Sequence, residues 1–503
     1  MTSNSFLIYA ILSFFVACEV SCASESKDVA RIIVNQCENC ESSSYQYATI
    51  GSSEYDSKDT IQNIRLSVPI SSYFYVIQVH SYLESVLLSY DAEPTVATSV
   101  HGTNVGLNQF THDKPNHTFY LFNNFTAPRE VLIAVTSYTG SAPMPGGCNM
   151  EFNTKTAPYQ HVDYNDALIT VDVQSASLYQ QTCDVQGNIT LDFYLLFVNN
   201  GDLPVNGSYK AIIQMLTVKS IKIYGHKVIK PPSGPLLRRY FSNYQGFGVV
   251  YAVIATYGDA SSAYVPSFTY GCNMQNGKES CFSTDKTTEW ITMEVTTSIS
   301  LFLLLSSFTA FLVPFFQFGY YATDAILMLI GIPYSPFIYI AIGAGVVLAC
   351  LLGGCSKWFA IDNIILRLYA AHILTAVIYF GTATGDFELC QTMGYFWILY
   401  VALMIMMLVP VLDGVAKYIN VCFHTVLMVD SLVGNGRLMY FNINSVRRAA
   451  VSNFYLASLY APNPSALSIG CIILIGISYL ISNFIRHCKG TRRVVGEATP
   501  LLG

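Results

Sequence analysis

Ionisable side chains within apolar stretches are the residues of this sequence that could do chemistry. Asp413, His424 and Asp430 each interrupt a run apolar enough to cross a membrane. Because charge is costly in hydrocarbon, such residues are candidates for an ion or substrate path, or for a catalytic cluster. Placement at the membrane interface, or burial as a pair such as Arg367 with an aspartate, is the simpler interpretation. The same two interpretations apply to the polar residues of neighbouring runs, Asp324, Asp362, Arg367 and His372.

The sequence does not assemble these residues into a catalytic or metal site. A zinc site needs about three protein ligands, and His372 and His424 alone are too few. The pair Cys37 and Cys40 could form a redox CxxC, but it lies near the predicted mature N-terminus without a βαβ context, which favours a structural pair or an outside partner. No Ser-His-Asp arrangement, phosphate loop or paired carboxylates stand out. We therefore predict a non-enzyme without catalytic residues, metal or cofactor.

Composition indicates that lipid solvates part of the chain. Of the 503 residues, 52% are hydrophobic and 12% are charged, against about 25% charged in soluble proteins. Apolar residues alternate with polar ones up to about residue 290 and come in blocks beyond it. The net charge of −6 argues against a nucleic-acid partner. The expected partner of the second region is the lipid bilayer, whereas any ligand or protein partner of the first is unknown.

The apolar blocks predict an all-α transmembrane domain of seven helices over residues 291–486, since each crossing needs about 20 residues. The predicted spans are 294–316, 318–334, 337–355, 361–383, 394–415, 418–436 and 465–485. An odd number of crossings puts the tail, 487–503, in the cytosol, where its basic residues fit the positive-inside rule. The positive-inside rule is contradicted at one loop, which this topology places outside although it contains Arg437, Arg447 and Arg448.

The N-terminal region carries signs of export. Residues 1–23 read as a signal peptide, with an apolar run from Phe6 to Cys18 and small residues near Ala23. An uncleaved anchor helix is the alternative. Acceptor sequons for N-glycosylation all lie before residue 290, at Asn116, Asn124, Asn188 and Asn206. The first region is therefore expected to be an ectodomain, outside or in the lumen.

Ectodomain cysteines are expected to form disulfides, because six of them lie in an oxidising compartment. They are Cys37, Cys40, Cys148, Cys183, Cys272 and Cys281. Six cysteines allow 15 connectivities. We favour Cys148–Cys183, and Cys272–Cys281 as a local clasp.

Period-2 runs separated by turn residues predict a β-rich ectodomain of two tandem β-sandwich-like domains, residues 24–160 and 161–290. Segments 131–150 and 250–274 each hold an apolar strand followed by Gly-Cys-Asn-Met. The two copies of this motif, starting at Gly147 and Gly271, are 124 residues apart. That domain-sized period supports two domains.

These features together resemble a known family, transmembrane 7 superfamily member 3. The segments that carry the resemblance are 143–152, 263–266, 270–272, Cys281, 426–431, 444–449 and 499–502. The membrane part of that family is similar to transmembrane protein 198. The resemblance implies an N-out, seven-span glycoprotein of the plasma membrane or endomembranes without established enzymatic activity. It also implies a pro-survival role in protein homeostasis that attenuates endoplasmic-reticulum stress.

The tail holds a separate signal. Glu497 precedes Leu501 and Leu502 in a pattern similar to the acidic dileucine motif that clathrin adaptors bind. The alternative is a disordered tail that nothing recognises. A G-protein-coupled receptor is disfavoured, because the third and seventh spans lack Asp-Arg-Tyr and Asn-Pro-x-x-Tyr. An ion or small-molecule transporter using Asp413, His424 and Asp430 stays open, although the membrane region has no internal repeat.

Overall fold

The computed structural model describes only part of the chain. The described residues are 28–33, 42–50, 61–67, 73–110, 116–123, 128–148, 160–165, 167–178, 189–198, 204–229, 237–273, 347, 351, 362–383, 392–416, 418–420, 422–423, 426, 444 and 454–461. The chain divides into two compact units that interleave along the sequence. The first holds residues 1–160, 173–227 and 250–268, and the second holds 161–172, 228–249 and 269–503.

The first unit begins with a β-sandwich. Its strands are β1 (Asp28–Ile33), β2 (Ser42–Ile50), β3 (Ile61–Ser67), β4 (Phe74–Ser81), β5 (Val86–Ser89), β6 (Ser99–Gly102), β7 (Asn104–Phe110), β8 (Asn116–Asn123) and β9 (Arg129–Tyr138). They form two sheets of order β1-β3-β8-β5-β6 and β2-β9-β4-β7. Ile64 and Leu121 of one sheet pack with Ile77 and Ile133 of the other in a fully buried core. The strand-rich ectodomain predicted from the alternating pattern is therefore confirmed here.

The second sheet of this sandwich is buried on both faces at its centre. Every residue of β4 is buried, although a strand with one wet face would show alternating exposure. Ile77 faces the sandwich core, whereas Phe74 and Val76 pack on the outer face with Tyr138 and Val265. The outer face therefore needs a second layer to cover it.

That layer comes from later parts of the first unit. Its strands are β10 (Met144–Cys148), β13 (Ser175–Ser177), β14 (Thr190–Phe197), β15 (His226–Lys227), β17 (Val249–Tyr257), β18 (Ala260–Ala263) and β19 (Ser267–Thr269), and its helices are α1 (Pro204–Gln214) and α2 (Val218–Tyr224). Leu132 and Ala134 of β9 pack against Tyr209 and Ile212 of α1 and Ile221 of α2. The sequence patterns predicted strands here but not these helices.

The second unit combines ectodomain strands with apolar helices. Its elements are β11 (Gln160–Tyr164), β12 (Leu168–Val173), β16 (Arg238–Ser242), α3 (Asp362–Ala383), α4 (Met393–Met407), 3₁₀ turns at Pro410–Leu412 and Phe454–Leu456, and β20 (Ala457–Ser458). The sheet order is β11-β12-β16-β20. β12 and β16 are antiparallel and share an ion pair between Asp172 and Arg238, in which two N–H groups reach the carboxylate at 2.6 and 2.7 Å.

The helices match the predicted spans in part. α3 coincides with the predicted span 361–383 to within one residue, whereas α4 ends well before residue 415. Among the described residues no single helix has the length and apolar character of a membrane crossing, and one pair, Gly394–Met407 and Pro410–Asn420, has them jointly across a bend of 93°. Most residues of the other predicted spans lie outside the described part. The seven-helix domain thus stays a prediction.

Candidate functional site

The structure describes part of the predicted intramembrane polar set. Arg367, His372 and Asp413 have described side chains, and all lie in the second unit. The other members fall outside the described side chains, namely Asp324, Asp362, His424 and Asp430.

Arg367 of α3 and Asp413 form an ion pair that is buried on the arginine side and partly exposed on the aspartate side. Nε of Arg367 lies 3.0 Å from Oδ1 of Asp413, and the two side chains are 7% and 34% exposed. The contact is a charge pair rather than a well-aligned hydrogen bond, because that oxygen lacks a bond of good geometry. A guanidinium held this close neutralises the carboxylate. The arrangement matches the simpler interpretation of these residues, burial as an ion pair.

Arg367 also closes the end of α4. Its Nη1 donates to the carbonyl oxygen of Leu408 at 2.5 Å, and Leu408 is the C-cap of that helix. The helix ends there because Pro410 follows, which has no N–H and disfavours helical backbone in the residue before it. Val409 accordingly has extended backbone, with φ −67° and ψ 120°. The guanidinium thus satisfies a carbonyl that the break leaves unpaired.

His372 lies among aromatic rings rather than among metal ligands. Its ring is stacked on Tyr369 at 6.3 Å and meets Tyr400 edge-on at 6.1 Å. In the described residues no group of three or more His, Cys, Asp or Glu side chains could hold a metal ion. These surroundings give His372 a packing role between α3 and α4.

A second cluster joins ectodomain strands to the segment before the last predicted span. β20 runs parallel to β16, with Tyr240 opposite Ala457 and Phe241 opposite Ser458. Such backbone pairing adds a strand to the open edge of a sheet. We call this pairing, together with Asn444, the junction.

Asn444 fixes the junction through its side chain. Its Oδ1 accepts a hydrogen bond from Ser242 Oγ at 2.9 Å, and its Nδ2 donates to Tyr244 Oη at 3.1 Å. Asn444 is 0% exposed and Ser242 is 3% exposed. Both amide atoms are therefore satisfied by ectodomain residues about 200 positions earlier in the chain.

Apolar packing beside the junction involves particular ends of the helices. Ala376, Tyr379 and Phe380, near the end of α3, and Phe396, near the start of α4, pack with Leu168 of β12. Phe454, Ala457 and Leu459 complete this cluster. Arg367 lies about 18 Å of helix before Tyr379 at the usual rise per residue. The ion pair and the ectodomain contacts thus involve opposite ends of α3.

The repeated Gly-Cys-Asn-Met motif has a structural reason at both copies. A Cβ at Gly147 would lie 1.9 Å from Ser177 Oγ, and a Cβ at Gly271 would lie 2.0 Å from Asn243 Oδ1. The cysteine that follows each glycine, Cys148 or Cys272, is disulfide-bonded. The predicted partners Cys183 and Cys281, and Cys37 and Cys40, lie outside the described residues, so the pairings stay predictions.

Two predicted acceptor asparagines have described side chains. Asn116 begins β8 and Asn206 lies in the first turn of α1, and both are exposed. Asn124 and Asn188 lie outside the described residues, as do Glu497, Leu501 and Leu502 of the tail. Exposure of Asn116 and Asn206 is compatible with a glycan at each.

Sequence reasoning did not single out the junction as a site. The run Phe454 to Tyr460 is aromatic and apolar, which indicates a buried segment outside the predicted spans. Asn444 appeared only within the segment that resembles the family. Its partners Ser242 and Tyr244 are too distant in sequence for any local pattern to connect them.

Two family models match the N-terminal part of the chain. Residues 43–138 match a family model described as TM7SF3-like, N-terminal immunoglobulin-like domain, and residues 143–275 match TM7SF3-like, second immunoglobulin-like domain. These matches confirm the two tandem β-sandwich domains. The boundaries at residues 160 and 290 stay predictions.

Curated relatives extend the similarity into the helical region. Transmembrane 7 superfamily member 3 of Homo sapiens is 25% identical over 432 residues, which cover 77% of this chain and 73% of the relative. Its counterpart in Mus musculus is 26% identical over 429 residues, 77% of this chain and 74% of the relative. Among solved structures, the glycoside hydrolase domain of Endo-D from Streptococcus pneumoniae R6 is 8% identical, with TM-score 0.12, over 47% of this chain and 34% of that one. That score indicates neither a shared fold nor a shared activity.

Proposed function

We propose that this chain, a relative of transmembrane 7 superfamily member 3, is a multi-pass membrane glycoprotein that supports protein homeostasis and cell survival without catalysing a reaction. Its relatives make it a membrane protein. The number of crossings, the orientation and the cellular role are the proposal. The similarity to transmembrane protein 198 is not needed for it.

The main observation behind the proposed membrane topology is the pairing of β20 with β16. Two strands can share backbone hydrogen bonds only if both lie on the same side of the bilayer, because an open strand edge is not tolerated in lipid. We therefore infer that Asn444 and residues 454–461 lie on the same side of the bilayer as the ectodomain. The position of Arg437, Arg447 and Arg448 in a segment of some length does not oppose this topology, because the positive-inside rule is counted over short loops near the ends of the spans.

Packing at the end of α3 and the start of α4 supports the same topology independently. The end of α3 and the start of α4 pack with ectodomain strand β12. With seven spans, α3 and α4 are the fourth and fifth, so their connection faces outside, as does the loop after the sixth. The seventh crossing then leaves the basic tail in the cytosol. Both packing observations support the proposed odd number of crossings.

The ion pair that Asp413 forms with Arg367 argues against a role in transport. A carboxylate that carries ions must exchange partners, whereas this one is neutralised by Arg367, which also closes the end of α4. We therefore propose a structural role for the pair. The non-enzymatic character follows the family resemblance, and so does the role in attenuating endoplasmic-reticulum stress.

A pair of cysteines tests the topology directly. In the full chain, Tyr240→Cys with Ala457→Cys should form a disulfide, because these residues are opposite each other in the register. A protease site between the two positions would release two fragments that stay joined until a reductant is added. Tyr240→Cys with Ser458→Cys is the control, since neighbouring strand residues point to opposite faces. Separate fragments from both pairs would overturn the proposed junction.

Antibody access to a C-terminal tag tests the parity and the sorting signal together. We expect the tag to be reached only after permeabilisation, and Leu501→Ala with Leu502→Ala to increase the protein at the cell surface if clathrin adaptors bind the tail. Glu497→Ala alone should give a smaller increase. A tag reached from outside would exclude an odd number of crossings, and an unchanged distribution would exclude the sorting signal.

The cellular role needs its own test. Cells that lack the protein should survive an inhibitor of protein folding in the endoplasmic reticulum less well than parental cells. The wild-type chain should restore survival, whereas Asn444→Ala, which weakens the junction, should restore it less. Equal survival of deficient and parental cells would refute the proposed role while leaving the topology intact.

A further inference from the structure

Two tyrosines stand half exposed on the edge strand of a sheet whose outer face is covered at its centre. Tyr45 and Tyr47 of the edge strand β2 are 50% and 46% exposed. Directly opposite them on β9 lie Ala134 and Leu132, both 0% exposed and packed in the cluster that includes α1 and α2. The helical cover therefore ends between β9 and β2, and the aromatic rings continue the same face into solvent.

Contacts of Tyr209 place the first turns of α1 next to these rings. The Tyr209 ring lies 6.0 Å from that of Tyr47, which lies 6.4 Å from that of Tyr45. Tyr209 Oη also donates to the carbonyl oxygen of Glu130 at 2.7 Å. Glu130 is opposite Thr49 of β2, so both contacts hold this part of α1 at the β2 edge.

The first turn of α1 carries an acceptor sequon at the same edge. Asn206 is exposed and precedes Tyr209 by three residues, which puts the two on neighbouring positions of one helix face. Ser208, the hydroxyl residue of the sequon, is 1% exposed and donates to the carbonyl oxygen of Val205 at 2.7 Å. Because that hydroxyl is inaccessible once the helix forms, a glycan must be added to Asn206 before α1 folds.

We propose that Tyr45 and Tyr47 form a carbohydrate-binding surface for the chain's own N-linked glycan at Asn206. The C–H faces of sugar rings pack on aromatic faces, whose negative charge density favours the slightly positive hydrogens. The glycan covers the rim where the helical layer ends and shields the β2 edge from other chains. This inference rests on the proposed export, since only a chain that enters the secretory pathway receives such a glycan.

Tyrosine nitration of the full-length purified glycoprotein tests the contact. Samples would carry the intact glycan, a single remaining N-acetylglucosamine, or no glycan, and peptide mass spectrometry would quantify nitration at each tyrosine. We expect nitration of Tyr45 and Tyr47 to rise several-fold on complete removal. Tyr224, which is 49% exposed on α2, is the internal control and should react equally in all samples.

Matched variants separate this glycan from the others. Asn206→Gln should reproduce the effect of complete removal at Tyr45 and Tyr47. Asn116→Gln, which removes the sequon at the start of β8, should leave their nitration unchanged.

Three outcomes would overturn the inference. The first is a glycan at Asn206 whose removal leaves the nitration of Tyr45 and Tyr47 unchanged. The second is an unmodified Asn206 in a chain that is glycosylated at Asn116. The third is nitration of Tyr45 and Tyr47 in Asn206→Gln that is as low as in the wild type, which would indicate that a protein partner covers them. All three outcomes would leave the proposed function intact. Absence of a glycan at every sequon would contradict both the inference and the proposed export.

Discussion

The guanidinium of Arg367 lies between a carboxylate and a helix end. Its Nε is 3.0 Å from Asp413 Oδ1, while its Nη1 donates to the carbonyl oxygen of Leu408 at 2.5 Å. The buried guanidinium of Arg367 therefore balances the negative charge of Asp413, which follows the helix break, and donates to the Leu408 carbonyl, which precedes it. Both contacts lie at the bend of 93° between Gly394–Met407 and Pro410–Asn420.

Removing either partner should destabilise the helices. Arg367→Met leaves Asp413 and the Leu408 carbonyl unpaired, and Asp413→Leu leaves a buried cation. We expect each to cost about 2 kcal/mol, less than for a fully buried pair, because the Asp413 side chain is 34% exposed and water solvates part of it. The double variant should recover much of that loss, because an apolar pair of similar volume avoids the desolvation penalty. Thermal denaturation of the full chain in detergent measures all three, and additive losses would contradict the pairing.

Gly271 should tolerate alanine much less than Gly258. Both have positive φ, +66° and +56°, but a Cβ at Gly258 meets nothing within 4 Å whereas one at Gly271 would lie 2.0 Å from Asn243 Oδ1. Asn243 cannot move freely, because its Nδ2 donates to the carbonyl oxygens of Asn165 and Gly271 at 2.6 and 2.8 Å. Gly258→Ala should cost about 1 kcal/mol from strain alone, and Gly271→Ala more than about 3 kcal/mol.

Retention in the endoplasmic reticulum gives a cellular measurement of the same difference. Gly271→Ala should fail to mature its glycans, while Gly258→Ala should mature like wild type. Equal maturation of both variants would show that the clash at Gly271 is relieved by a local shift.

Strands that form because of local side-chain periodicity were predicted from the sequence. The run Val131 to Val135 lies within β9, and the run Leu168 to Val173 coincides with β12. Their alternation or apolar character suffices, because strand formation follows side-chain periodicity. The repeated Gly-Cys-Asn-Met motif indicated two domains from its spacing, and the structure adds that a Cβ at Gly147 or Gly271 would clash with a neighbouring side chain.

Helices α1 and α2 were missed because their signals are short and mixed. Pro204 at the start of α1 and the capping box of Thr217 and Ser220 at α2 are start signals. Gly207 and the β-branched residues of the segment oppose them. These helices form where they cover Leu132 and Ala134, so tertiary packing decides their conformation.

The junction could not be read from any window of the sequence. Asn444 pairs with Ser242 and Tyr244 across about 200 residues. Periodicity carries no information about such partners. A polar residue in a loop between predicted spans looks solvated until its partners are known.

Asn444→Ala should weaken the junction by leaving Ser242 Oγ and Tyr244 Oη without their partner. A buried polar group that loses its hydrogen bond costs about 1–3 kcal/mol. Asn444→Ala combined with Ser242→Ala and Tyr244→Phe should therefore be less destabilised than the sum of its parts. Protease cleavage within 437–464 in the full chain measures how often the loop opens. A cleavage rate unchanged by Asn444→Ala would indicate that β20 alone holds the loop.

His80 should make the ectodomain less stable in acid. It is 0% exposed, with Nδ1 3.0 Å from Asn104 Oδ1 and Nε2 3.3 Å from Gln78 Oε1. Burial lowers the pKa of its imidazole from 6.5 to about 4, and the contact with Asn104 opposes that shift in part. Because the folded pKa is the lower one, the unfolded chain takes up the proton first as the pH falls.

The stability that neutral His80 contributes is therefore complete above about pH 6.5 and is lost as the pH falls towards 4, by up to about 3 kcal/mol. His80→Gln should be less stable than wild type at neutral pH but should lose less stability between pH 6.5 and 4.5, since glutamine does not titrate. Thermal denaturation of the full chain across this range is the measurement, with His101→Gln as control, because His101 is exposed on β6. If His80→Gln keeps the whole wild-type slope, the acid sensitivity resides in other groups. A flattened slope would mean that one buried ring weakens this sandwich in acidic compartments.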